Sequence, residues 1–91
     1  MNDFLRLGVV QKVDYTAASA LSSAFGPQTY GVRVVATTDC HVKIGDGAVA
    51  ATTSETYLPA EFPEYFTVTP GQKIAAVRST LDGSLFVTEL V

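Results

Sequence analysis

The sequence has one cysteine, one histidine and no tryptophan. A single cysteine closes no disulfide within the chain. One Cys and one His fall short of the roughly four ligands that a structural zinc takes, so no metal is expected within one copy. Charged residues make up 16% of the chain, against about 25% in an ordinary soluble domain. The cations Arg6, Lys12, Arg33, Lys43, Lys73 and Arg78 are dispersed, and the formal net charge is −3. Phosphate backbones are held by clustered positive charge, so nucleic acid is not an expected partner. No apolar run approaches the ~20 residues of a spanning helix, and no membrane partner is expected. The start, MNDFLRLGVV, lacks the basic beginning and long apolar stretch of a signal peptide, which points to synthesis in a cytoplasm with a reduced thiol. There is no GxGxxG, P-loop or GxSxG. Asp46, between two glycines, lacks the repeated acidic ligands of a calcium loop. The chain is therefore not expected to be an enzyme or to carry a cofactor, and no catalytic residue is assigned.

What is present reads as short strands. "YGVRVVAT" (30–37) sets Val32, Val34 and Ala36 on one face and Arg33, Val35 and Thr37 on the other, the period of two that a half-buried strand needs. "HVKIG" (41–45) turns Val42 and Ile44 inward and His41 and Lys43 outward, and "GDG" (45–47) follows as a turn. "EYFTVT" (64–69) alternates Phe66 and Val68 against Tyr65, Thr67 and Thr69. "PGQ" (70–72) and "LDGS" (81–84) are turns around "KIAAVRST" (73–80), and "LFVTELV" (85–91) follows. Three consecutive segments joined by short turns suggest an antiparallel meander. "FLRLGVVQKVDYT" (4–16) can hold one or two strands, with Gly8 a candidate bulge. "AASALSSAFG" (17–26) suggests a loop or a short helix. "LPAEFPEY" (58–65), with Pro59 and Pro63, reads as an extended crossover between sheets. The expected fold class is all-β: one small domain over residues 1–91, an antiparallel β-sandwich or barrel, jelly-roll-like or Ig-like, with little helix. At 91 residues, folding buries only about 60% of the unfolded chain's surface. Contacts with a partner or with further copies are the expected supplement to a thin core.

Cys40 and His41 are adjacent, and neighbours on a strand point to opposite faces. The pair therefore reads as a buried thiol beside an outward imidazole, not as a catalytic dyad. Glu55, Glu61 and Glu64 lie around a proline-bearing segment whose irregular spacing fixes no acid–base geometry, and they read as exposed charges. Tyr57, Phe62, Tyr65 and Phe66 concentrate aromatic surface in one stretch. Aromatic anchors favour interfaces, so Tyr57, Phe62, Glu64 and Tyr65 are the expected partner-contact residues. The alternative for this stretch is structural, with Phe66 in the core and Phe62 capping one end.

The strings "VRVVATTDCHVKIG", "YLPAEFPEYFTVTPGQKIA" and "VTEL" together resemble small proteins encoded among the virion structural genes of tailed bacteriophages. The resemblance spans roughly residues 20–90. It implies a virion component, of which a capsid decoration (cement) protein is the leading form, located on the capsid surface after synthesis in the host bacterial cytoplasm. The implied partner is the major capsid protein, at capsomer junctions. A homo-oligomer is expected, a trimer by preference, with residues 1–19 as a docking or swapped N-terminal segment. The main rival is a tail or head–tail connector accessory protein. A third reading is a glycan-binding β-sandwich presenting Tyr57, Phe62 and Tyr65, which would leave at least two of those rings flat on one face.

Overall fold

The computed structural model describes residues 7–90 of the chain. They form eight strands: β1 (Leu7–Tyr15), β2 (Ala20–Leu21), β3 (Gly31–Ala36), β4 (Cys40–Gly45), β5 (Thr56–Leu58), β6 (Glu64–Thr67), β7 (Lys73–Arg78) and β8 (Gly83–Leu90). Two four-stranded sheets stack face to face. Sheet A has the order β1-β8-β3-β6 and sheet B the order β2-β7-β4-β5. Every strand pairing is antiparallel.

The pairings nest. β1 pairs β8, β2 pairs β7, β3 pairs β6 and β4 pairs β5. The chain is thus one long hairpin folded at the β4–β5 loop. It is rolled so that β8 also lies beside β3 and β7 beside β4. That is the jelly-roll arrangement of eight strands in two sheets, and it decides among the sandwich types left open by the sequence.

Period-two alternation places the core. In β3, Val32, Val34 and Ala36 are buried; in β4, Cys40 and Val42. Val13, Tyr15, Leu85 and Val87 complete the inner face of sheet A, and Leu58, Ile74 and Ala76 that of sheet B. Each Val, Leu or Ile fully withdrawn from water contributes about 1.5–3 kcal/mol, so this single layer supplies most of the driving force. Phe66 and Ile44 pack at its margin.

Four sequence expectations meet the structure directly. The 58–65 segment does cross between layers, from β5 in sheet B to β6 in sheet A. Asp39 Oδ1 accepts the Ala60 amide at 2.7 Å, and Ala36 O accepts the Glu61 amide at 2.8 Å. The 4–16 stretch gives one strand over its described part, and its register slips between Leu7 and Val10, around Gly8. The meander is corrected: β6, β7 and β8 alternate between sheets A, B and A. A short turn fixes where the chain reverses, but the same turn residues serve a reversal within a sheet or between two. Here the 69–72 turn is tied to another loop, with Gly71 N donating to Phe25 O at 3.1 Å and Phe25 N to Gln72 O at 2.8 Å. Strands leaving it therefore enter different layers. Residues 17–26 form no helix; they hold the two-residue β2 and loops on either side.

Candidate functional site

Cys40 faces the core, with no exposed surface. Burial pushes its thiol up to about 11, and the Tyr15 hydroxyl beside it opposes that shift. His41 leaves the other side of β4, where its Nδ1 lies 3.1 Å from Glu55 O and its ring meets Tyr57 edge-on at 5.4 Å. Thiol and imidazole therefore share no site. Among the described residues, no group of three or more His, Cys, Asp and Glu comes together to hold a metal ion.

The four residues expected at a partner contact are all exposed, but they do not share a surface. Tyr57 precedes the buried Leu58 on β5, so it stands on the outer face of sheet B. The Tyr57 hydroxyl and the Ala60 amide hold the Asp39 carboxyl below the usual carboxylate range. Phe62 lies in the crossover, 65% exposed. Glu64 opens β6 opposite Val34, in the inward register. Tyr65 pairs with Arg33 and stands on the outer face of sheet A, 61% exposed.

Register builds that outer face row by row. One row runs Val10, Thr88, Arg33, Tyr65 across all four strands. The next runs Lys12, Phe86, Val35. At the far end Asp14 faces Ser84, whose hydroxyl donates to Oδ1 at 2.6 Å. Lys12 Nζ lies 3.8 Å from the same carboxylate. Aromatic, aliphatic and arginine side chains at the centre with charges at the margin match the composition of protein-binding surfaces. None of Val10, Arg33, Val35 or Phe86 was singled out from the sequence. The signal was there for Phe86: with Leu85 and Val87 inward, a phenylalanine between them must face out.

The middle of the outer face of sheet B is covered by the chain itself, with Tyr57 and Lys43 left exposed beside it. Val49 and Ala51, from the β4–β5 loop, cover Ala75 and Val77 of β7. The Ala51 amide donates to Ser19 Oγ at 2.9 Å, which ties the loop across the strands. β7 is consequently buried on both sides.

One buried charge is accounted for structurally. Glu89 has the same inward register as Leu85 and Val87. Its Oε1 accepts Thr29 Oγ1 at 2.5 Å and the Gly26 amide at 3.0 Å. Charge-assisted bonds of this kind offset desolvation of the carboxylate and pin the β2–β3 loop. No family model, curated protein or solved structure matches this chain.

Proposed function

We propose that this chain is a structural protein-binding module of a tailed-phage virion, a capsid decoration protein that lays the outer face of sheet A on the shell. The observation that carries the reading is the outer face of sheet A, where Val10, Phe86 and Tyr65 stay exposed beside Arg33 and Val35, while on sheet B the β4–β5 loop covers Ala75 and Val77. The likeness of the strings quoted above to phage virion proteins supplies the partner.

Size favours a contact repeated by symmetry. Four strands about 4.8 Å apart, each offering some six residues at about 3.4 Å, make a face of roughly 400 Å². A standard stable interface takes about 800 Å² per partner. One such contact is weak, and many copies on a regular lattice add up through multivalency. The glycan reading needs rings side by side, whereas Tyr57 and Tyr65 leave from opposite sheets.

The test is copy number in purified virions by quantitative mass spectrometry, with the major capsid protein as reference. A count comparable with the capsid protein is expected. A handful of copies moves the protein to the connector or tail, and its absence from virions sinks the proposal.

A further inference from the structure

The sandwich has four edge strands, β1 and β6 in sheet A and β2 and β5 in sheet B. Unpaired edges invite pairing with another chain, and proteins blunt them by shortness, proline or charge. Three of the four are blunted here. β2 has two residues and β5 three, with Pro59 just beyond it; β6 has four, directly after Pro63. β1 differs in length and in having no proline, and the charges it carries, Lys12 and Asp14, are of opposite sign. It runs nine residues without proline, its only strand partner among the described residues is β8, and it exposes Leu7, Val9 and Val10.

We infer that β1 is a self-pairing edge: two copies join antiparallel through β1 about a two-fold axis at Val13, with Lys12 of each copy facing Asp14 of the other. Residues opposite each other across a two-fold must have the same facing, so the registers available step by two. Centring on Lys12 would oppose like charges, and centring on Val13 opposes unlike charges twice. Lys12 and Asp14 already stand on the same face of β1, both well exposed. The twofold also keeps both outer faces on one side, so the pair presents one eight-stranded surface of roughly 800 Å², the size of one side of a standard interface. The pairing stands on β1 alone and holds whether or not that surface meets a shell.

The test is mass in solution, by sedimentation equilibrium over a concentration series of the full chain, with circular dichroism as the fold control. Wild type is expected to reach the mass of two chains. Either Lys12→Glu or Asp14→Lys turns both attractive cross-strand pairs into like-charge pairs, which weakens self-association about tenfold to a hundredfold. The two variants move net charge in opposite directions, so a shared loss cannot come from net charge. The exchange Lys12→Asp with Asp14→Lys should return the dissociation constant to within about threefold of wild type. A wild-type monomer at every concentration, a mass of three chains, or folded single variants that associate like wild type would each overturn the inference.

Discussion

The central strand β7 of sheet B is covered on its outer face by the chain itself, whereas on sheet A Val10, Phe86 and Tyr65 stay exposed. On sheet B, the ten-residue connection between β4 and β5 folds back and covers β7 with Val49 and Ala51. On sheet A, no described segment crosses Val10, Phe86, Val35 and Tyr65. The difference separates two uses of apolar surface. Covered by the chain itself, it contributes to folding. Left open on a small, charge-poor domain, it is available for association.

Substitution on matching strands breaks or sharpens this contrast. Val77→Asp on β7 places a charge under the loop at a site 5% exposed. It should cost about 3 kcal/mol or more. Phe86→Asp on β8 should cost about 1 kcal/mol, mainly strand propensity. Urea denaturation of both variants decides, and equal losses would mean that sheet A is also covered. Gly83→Ala tests the interior at the end of sheet A. A Cβ there would lie 2.8 Å from both the Tyr15 hydroxyl and Thr37 Oγ1, and against Thr38 Oγ1. That hydroxyl is fixed by a 2.7 Å bond to Thr38 O, so the methyl has no room and should cost about 2 kcal/mol in a thermal melt.

Between the sheets, Cys40 adds a pH dependence. Its ordinary pKa near 9.0 is pushed up to about 11 by burial. Below pH 9 the thiol is neutral in folded and unfolded chains alike. Between about pH 9 and 11 only the unfolded chain ionises, so stability falls across that window. Urea midpoints across this range should decline for wild type and decline less for Cys40→Ala; parallel curves would show that the thiol is not the source. The smallest stability effect is expected at Tyr65→Ala, within about 0.5 kcal/mol. On the proposed reading the same change weakens binding to purified shells about tenfold, as an aromatic anchor should. Unchanged shell binding would move the contact off this face.

Strands with strict alternation were legible in the sequence. β3 and β4 came with the right residues inward because side-chain facing follows from period two alone, and the same rule separated Cys40 from His41. β2 was not legible, since two residues carry no period. The nested pairing was not legible either, because the partner of β6 is β3, separated from it in sequence by two other strands. The loop over β7 reads as "AVAATT", small residues that look like linker until something is seen beneath them. The aromatics of 57–65 looked like one group because they are close in sequence. The crossover between them sends Tyr57 and Tyr65 to opposite sides of the molecule.

The nested pairs also order events during synthesis. The innermost pair, β4 and β5, can close once both are outside the ribosome, and loop-closure cost rises with each outer pair. β8 sits between β1 and β3 and follows them both in the chain. Until Gly83–Leu90 has emerged, sheet A has no centre, and β1, made first, is placed last. Through that interval Val9 and Val10 have no settled partner, so a chaperone or a neighbouring nascent chain would find this strand open.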